Sequence, residues 1–106
     1  MPAAHQPLPE LVHVRRPRTC FRYREREPGR LQLRVILGPG ENVCDVLVDE
    51  NNRRVEVLIL VCGEIGHGNA AIDCPVHVYL SAALGDRRVV DAARNGANVE
   101  PFTPNW

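Results

Sequence analysis

One stretch of the chain decides the fold: residues 43–62 read VCDVLVDENNRRVEVLILVC. Two apolar runs with interleaved polar positions flank the pair Asn51-Asn52. A period of two is typical of strands, because successive side chains of a strand point to opposite faces. Asparagine tolerates positive φ, so we expect a two-residue turn at this pair. The stretch therefore predicts a β-hairpin.

This hairpin has one face that is wholly apolar. With Asn51 and Asn52 as the loop, the expected cross-strand pairs are Val48 with Val55, Val46 with Val57 and Cys44 with Ile59. The opposite face is charged near the turn and becomes apolar toward Leu58 and Leu60. We expect the first face to lie on a core, and the far end of the hairpin to be partly covered on both sides.

Further strands show the same alternation. Residues 31–37 place an apolar side chain at every second position, and Gly38-Pro39-Gly40 ends that run. Residues 75–80 repeat the pattern, and a short strand at 87–90 follows the turn Gly85-Asp86. Strands at this spacing predict an all-β fold, namely a small antiparallel β-sandwich or a partly open barrel.

Length and composition fit one small globular domain. The chain has 106 residues, of which 44% are hydrophobic and 25% are charged. We expect a single β domain over residues 11–106, preceded by a loosely ordered, proline-rich segment over residues 1–10. Every apolar run is shorter than the roughly 18 residues of a spanning helix. The sequence therefore predicts no membrane-spanning segment.

The charges are balanced overall and uneven along the chain. The 13 basic residues, all arginine, match 13 acidic residues, so the net charge is zero. Residues 1–34 hold eight arginines and three glutamates, a net charge of +5, and residues 35–106 carry −5. Either the two parts attract each other within the fold, or the first part is a basic arm that meets an acidic partner.

Residues 15–26 interleave arginines with two aromatic residues, a pattern that superficially resembles a nucleic-acid-binding stripe. On a strand, Arg22, Arg24 and Arg26 share one face and the aromatic residues share the other. A solvated strand face gives the same alternation. We therefore expect no nucleic-acid partner, and whether this segment binds anything else stays open.

The four cysteines, Cys20, Cys44, Cys62 and Cys74, allow three disulfide connectivities. Cys44 and Cys74 each have the strand parity of neighbouring core valines, whereas Cys62 has the parity of the opposite face. We predict a disulfide between Cys44 and Cys74, with Cys20 and Cys62 as the second pair. A bridge of the first kind would stabilise so small a domain by about 2–4 kcal/mol. Free buried thiols are the alternative.

A metal site is a second interpretation of the same region. Cys62, His67, Cys74 and His77 follow the spacing C-x4-H-x6-C-x2-H, and zinc accepts two thiolates and two imidazoles. The spacing matches no standard zinc finger, and Cys74 and His77 face opposite sides of a continuous strand. A zinc-stabilised module on these residues is the alternative hypothesis. A small enzyme with Cys62 as its nucleophile is a third.

Residues 76–91 read VHVYLSAALGDRRVVD. This stretch resembles the closing motif of small uncharacterised β-rich domains from actinobacteria, a strand followed by L-x-x-P-L-G-x-R-x-V-x-D. The matching positions within this motif are Leu84, Gly85, Arg87, Val89 and Asp91, with Asp86 at a variable position.

The resemblance extends over residues 43–91. The actinobacterial domains often have one cysteine before a hairpin and another before the motif, as Cys44 and Cys74 stand here. Ala83 occupies the position where the motif has proline. The resemblance implies a β-rich domain that is often exported or lipid-anchored and whose function is generally unassigned.

The first residues of the chain do not indicate one cell compartment. Residues 1–7 lack the charged-then-apolar pattern of a signal peptide. The protein is therefore extracellular if this is a trimmed mature form, and otherwise cytoplasmic with reduced thiols.

Together these features predict a non-catalytic binding or structural β domain with no cofactor. The sequence contains no nucleophile elbow, phosphate-binding loop or zinc-protease motif. The partner stays unknown, with a protein as one candidate, and an exposed sheet edge offers a route to a homodimer. Arg87, Arg88 and Asp91 are further candidates, and we expect Asp86 and Arg87 to fix the final turn by a local ion pair.

Overall fold

The structure is a computed structural model that describes residues 14–63 and 71–102. Within these ranges the chain forms nine strands and one 3₁₀ helix. The strands are β1 (Arg16–Arg18), β2 (Cys20–Glu27), β3 (Arg30–Leu37), β4 (Glu41–Glu50), β5 (Arg54–Gly63), β6 (Ile72–Tyr79), β7 (Arg88–Asp91), β8 (Ala97–Asn98) and β9 (Glu100–Pro101). The 3₁₀ helix spans Ala92–Arg94, between β7 and β8. The predicted all-β class is confirmed.

The strands form two sheets. The first, called the β5 sheet, contains β1, β4, β5, β7 and β8. Strand β4 pairs with the whole of β5 along one edge, while β1 and β7 share the other edge of β5, one after the other. The second, called the β3 sheet, has the strand order β6-β3-β2-β9.

The core lies between the two sheets and comes from the alternating apolar positions. Strands β3 and β5 bury every second residue: Leu31, Leu33, Val35 and Leu37 from β3, and Val55, Val57, Ile59 and Val61 from β5. Strand β6 adds Val76 and Val78, while its alternate residues face outward. Two sheets that share a core in this way form a sandwich. The predicted sandwich or partly open barrel is confirmed.

Both sheets are mixed, whereas the sequence predicted antiparallel pairing throughout. Strand β7 runs parallel to β5, and β9 runs parallel to β2. The route of the chain explains the first pair. After β5 the chain crosses to the β3 sheet to form β6 and then returns, so β7 arrives in the direction of β5. The prediction failed here because periodicity identifies strands and carries no information on crossovers.

The predicted hairpin is present, but its turn lies one residue further along the chain. The side-chain oxygen of Asn51 accepts hydrogen bonds from the backbone N–H groups of Arg53 and Arg54, at 2.8 and 3.0 Å. An Asx turn of this kind places the asparagine ahead of the turn. The partner of each residue over 45–50 of β4 therefore moves by two, and Val48 pairs with Val57. A shift by two leaves these side chains on their predicted faces.

A β-bulge interrupts β4 at Cys44. The register passes from Val43 opposite Val61 to Asp45 opposite Leu60, so Cys44 has no cross-strand partner of its own. A bulge adds one residue to one strand and thereby reverses the side-chain alternation beyond it. Val43 consequently packs against the core, and Cys44 is exposed.

No helix in the two described ranges has the length and apolar character needed to cross a bilayer. The proline-rich segment 1–10 and residues 64–70, which include His67, lie outside the described residues.

Candidate functional site

The motif that carries the actinobacterial resemblance forms the closing turn of the sandwich. Leu84 and Val89 are buried in the core. Gly85 has a φ of +60°, in the left-handed region that favours glycine. The backbone N–H of Leu84 donates a hydrogen bond of 2.8 Å to the carboxylate of Glu25, which joins the motif to β2. These motif residues therefore have roles in folding.

Arg87 fixes this turn through all three guanidinium nitrogens. Its Nη1 donates to the carboxylate of Glu50 at 3.0 Å, and its Nε donates to the carbonyl of Leu84 at 3.1 Å. Its Nη2 donates to the carbonyls of Ala82 and Ala83 at 3.2 and 3.0 Å. A planar guanidinium is suited to such a fork of acceptors. The loop before β7 is thereby attached to the end of β4.

The ion pair of Arg87 is with Glu50, and the predicted local pair with Asp86 is wrong. Asp86 is exposed, whereas Glu50 is half-buried beside the guanidinium. The backbone N–H and the hydroxyl of Ser81 also donate to Glu50, at 3.0 and 2.9 Å. The Ser81 N–H, together with Arg87, holds the pKa of the Glu50 carboxyl below its usual value. The neighbouring Arg88 is exposed.

Asp91 is fully buried at the end of β7. One carboxylate oxygen accepts a hydrogen bond of 3.0 Å from the backbone N–H of Cys20, and the other accepts one of 3.0 Å from that of Ala93. Asp91 is thus the N-cap of the 3₁₀ helix, and Arg94 lies 3.5 Å from its carboxylate. Because Cys20 begins β2, Asp91 connects the two sheets. Its role is structural.

The cysteine pairs predicted from the sequence are not brought together, and all four cysteines are free thiols. Cys20 is buried in the core, and Cys74 packs against the core from β6. Both are register partners of Val35, on its two sides. Strand β3 therefore lies between the strands that carry Cys20 and Cys74. Two strands with one strand between them are about 10 Å apart, which exceeds the Cα separation of a disulfide.

Cys44 and Cys62 lie together on the outer face of the β5 sheet. Cys62 has the outward orientation that its parity predicts, whereas the bulge brings Cys44 to the same face. The two thiols lie near each other, and the Cys44 thiol donates a hydrogen bond of 3.5 Å to the carbonyl of Leu60. The Cys44–Cys74 prediction is therefore corrected, since the β5 sheet separates these residues.

Opposing effects act on the pKa of the Cys44 thiol. Local desolvation, followed by the contact with Cys62, raises the pKa of Cys44. The Arg15 guanidinium acts in the opposite direction, and it also forms an ion pair of 2.9 Å with the carboxylate of Asp45. The pair therefore lies in a charged, solvent-accessible setting at the bulge.

The alternative zinc set does not converge in the described part of the chain. Cys62 is on the outer face of the β5 sheet, while Cys74 is on the inner face of the β3 sheet. His77 faces outward, opposite to Cys74, and its Nδ1 lies 3.4 Å from Nη1 of Arg30. His67 lies outside the described residues. Within residues 14–63 and 71–102, no three potential metal ligands are grouped.

The outer face of the β3 sheet is rich in arginine, and it is called the basic face below. It consists of Arg22, Arg24, Arg30, Gln32, Arg34, His77 and Tyr79. Strand pairing sets Arg22 opposite Arg34, Arg24 opposite Gln32, Gln32 opposite His77, and Arg30 opposite Tyr79. These residues alternate with the core residues of their strands and therefore point outward. Tyr79 is 75% exposed, more than any other large hydrophobic residue described.

Three acidic residues moderate the charge of the basic face. Glu27 lies 2.8 Å from Nε of Arg30, and Asp73 lies 3.4 Å from Nε of Arg34. The Arg34 guanidinium also stacks over the ring of Phe102, at 5.6 Å from its centroid. The third acidic residue, Glu100, is the register partner of Arg22 on the neighbouring strand β9. Four arginines against three carboxylates leave the face with a net charge of +1.

The opposite charges of the two parts of the chain also meet within the fold, as one of the two hypotheses predicted. Arg18 forms a twin hydrogen bond with the Glu41 carboxylate, at 2.7 and 2.6 Å, and Arg16 adds a third contact at 3.2 Å. These ion pairs attach β1 to the start of β4.

Sequence reasoning missed the basic face because it considered β2 alone. Arg30, His77 and Tyr79 join that face only through pairing with β3 and β6. The signal that could have indicated this face is the set of polar residues that alternate with the apolar ones in β3 and β6.

Comparisons of the chain with protein-family models, with curated proteins and with solved structures find no match. The resemblance to the actinobacterial domains therefore stays a prediction.

Proposed function

We propose that the protein is a non-catalytic binding module and that its basic face binds single-stranded nucleic acid, a partner that the sequence alone did not lead us to expect. The observation that carries the proposal is the juxtaposition of four arginines with an exposed tyrosine on one sheet face. The motif residues Arg87 and Asp91 do not enter it, because their contacts are accounted for by the fold.

The charge of the face supports a polyanionic ligand. Arg22 and Arg34 are direct cross-strand neighbours, and like charges in this position destabilise a sheet by a few tenths of a kcal/mol or more. A phosphate backbone would relieve that repulsion, since guanidinium groups bind phosphate through paired hydrogen bonds. Arg24 and Arg30 extend the positive charge along the sheet in the direction of the strands.

The exposed rings favour nucleic acid over an acidic protein. Single strands bind by stacking bases on aromatic side chains beside a positively charged track. Tyr79 offers such a ring, with Arg30 opposite it and His77 on the same strand face.

The zero net charge of the whole chain does not oppose this proposal. The acidic residues Asp49 and Glu56 lie on the outer face of the β5 sheet, on the other side of the sandwich. The fold thus separates charges that cancel in the sequence. Electrostatic attraction of a ligand depends on the local field of such a face.

The test is fluorescence anisotropy of labelled oligothymidylate and oligouridylate at low and moderate salt. Tyr79→Ala should weaken binding by about 1–3 kcal/mol, the usual contribution of one stacked base. The double variant Arg24→Gln, Arg30→Gln should weaken it further and reduce the slope of log K against log salt by about 1.4, which is about 0.7 for each lost phosphate contact on a single strand. The matched control, Arg53→Gln with Arg88→Gln, removes the same charge from exposed positions elsewhere.

Three results would overturn the proposal. The first is no binding of either oligonucleotide at low salt. The second is an equal loss of affinity in the control variant, which indicates non-specific attraction only. The third is tighter binding of a polyglutamate peptide that Tyr79→Ala leaves unchanged, which identifies an acidic protein as the partner.

A further inference from the structure

We propose that Cys44 and Cys62 form a thiol–disulfide exchange site on the outer face of the β5 sheet. Its oxidants would be low-molecular-weight disulfides, one consumed for each cross-strand disulfide formed between these two residues. This site is separate from the basic face, which lies on the other sheet.

The bulge makes the site. Without the extra residue in β4, Cys44 would have the parity of Val46 and would point into the core, away from Cys62. With it, both side chains project from neighbouring strands on the same side and lie near each other. Bulges often re-aim a side chain beside a functional site.

Access to the pair is open. Strand β4 is an edge strand of the described sheet, and Cys44 is exposed. Desolvation and Cys62 raise the pKa of Cys44, and the positive charge of Arg15 partly offsets this by favouring the thiolate, the form that attacks a disulfide. Neither of the other two cysteines combines these features. Cys20 is fully buried, and Cys74 packs against the core.

The exchange balances in two steps with a small disulfide, R–S–S–R, as the oxidant. One thiol loses its proton, and its thiolate attacks the small disulfide, forming a mixed disulfide and releasing R–S⁻. The second thiolate attacks the protein sulfur of that mixed disulfide, and the second R–S⁻ leaves. Each leaving thiolate takes up one of the two protons. Two electrons pass from the two cysteines to the small disulfide, which becomes two R–SH.

The test is native oxidation of the full chain with oxidised glutathione, followed by acid quenching, alkylation of remaining thiols, trypsin digestion and mass spectrometry. Trypsin places Cys44 in residues 35–53, but it leaves Cys62 and Cys74 together in residues 55–87. The variant Cys74→Ser removes this ambiguity. It also serves as the matched control, because it keeps the proposed pair.

The expected product is a cross-linked peptide pair in the wild type and in Cys74→Ser, reversed by dithiothreitol. Cys44→Ser and Cys62→Ser should instead retain glutathione on the remaining cysteine. The proposal is overturned if Cys74→Ser shows no cross-link, whether its thiols stay unreacted or both keep glutathione. A cross-link that includes Cys20 in place of Cys44 or Cys62 would also overturn it. Far-ultraviolet circular dichroism of each variant verifies that the compared proteins are folded.

Discussion

The backbone N–H of Cys20 donates a hydrogen bond of 3.0 Å to the carboxylate of Asp91, 71 positions later in the chain. Both residues are fully buried, so this bond joins β2 of one sheet to β7 of the other inside the core. A buried carboxylate without partners costs several kcal/mol. Asp91 avoids that cost because its second oxygen caps the 3₁₀ helix through Ala93. The final residue of the motif thus sets how the two sheets are aligned.

The first prediction concerns this carboxylate. Asp91→Asn replaces one acceptor oxygen by an NH₂ group that faces a backbone donor, either Cys20 or Ala93. We expect the free energy of unfolding in urea to fall by about 1–3 kcal/mol. The control Asp86→Asn changes an exposed residue of the same motif and should stay within about 0.5 kcal/mol of wild type. Equal stability of the two variants would contradict the assigned role.

The second prediction concerns Arg87 and Glu50. Arg87→Lys keeps the charge but loses the fork of donors, so we expect a loss of about 1–2 kcal/mol in unfolding free energy. A double-mutant cycle with Glu50→Gln should give a coupling energy of at least about 0.5 kcal/mol. Arg88→Lys is the control, since Arg88 is exposed on the adjacent position. A coupling energy of zero would mean that the ion pair does not stabilise the turn.

Alternation of apolar residues was sufficient to predict most of the strands. Leu33 of β3, Val57 of β5 and Val78 of β6 lie in the core where their parity placed them. These predictions succeeded because burial of one strand face is a local property of the sequence. The turn at Asn51 was misplaced by one residue, since an asparagine that caps a turn and one that occupies it look alike in sequence.

The candidate sites were less predictable because they depend on contacts between distant residues. The bulge at Cys44 could not be predicted, because the stretch V-C-D-V over residues 43–46 contains no residue that distinguishes a bulged strand from a regular one. That single residue reversed the orientation of Cys44, so its neighbouring cysteine is Cys62 and not the predicted Cys74. Arg30 and Tyr79 are opposite each other only because β6 pairs with β3. Periodicity identifies faces, and it does not say which faces meet.

The third prediction concerns the order of thiol reactivity in the native protein. Burial raises the pKa of Cys20 to about 11, so its thiolate is scarce and its sulfur inaccessible at neutral pH. We expect iodoacetamide to modify Cys44 and Cys62 first, Cys74 more slowly, and Cys20 only after unfolding. Peptide mapping over a time course measures the order, and the same reaction in urea is the control. Modification of Cys20 as fast as Cys44 in the native protein would contradict the described packing.

The last prediction concerns acid stability, through Glu41. Its carboxylate accepts the twin hydrogen bond from Arg18, a bond of 2.6 Å from the backbone N–H of Gly38, and the contact with Arg16. These partners, Arg18 above all, lower the pKa of Glu41 from 4.5 to about 2. Only 9% of the side chain is exposed, so the cluster is protected from most of the solvent.

A carboxyl with a lower pKa in the folded state binds protons more readily when the chain is unfolded. Its contribution to stability is therefore complete above pH 4.5 and is lost as the pH falls from 4.5 to about 2. After solvent screening we expect this contribution to be about 1–2 kcal/mol.

Urea unfolding at several pH values across this window should show a steeper decline of the unfolding free energy for wild type than for Glu41→Gln. Glu56→Gln, on the outer face of β5, should keep the wild-type slope. Because Glu25 and Glu50 also have lowered pKa values, the Glu41→Gln protein should retain a smaller decline of its own. Parallel curves for wild type and Glu41→Gln would show that the Arg18–Glu41 cluster does not stabilise the fold.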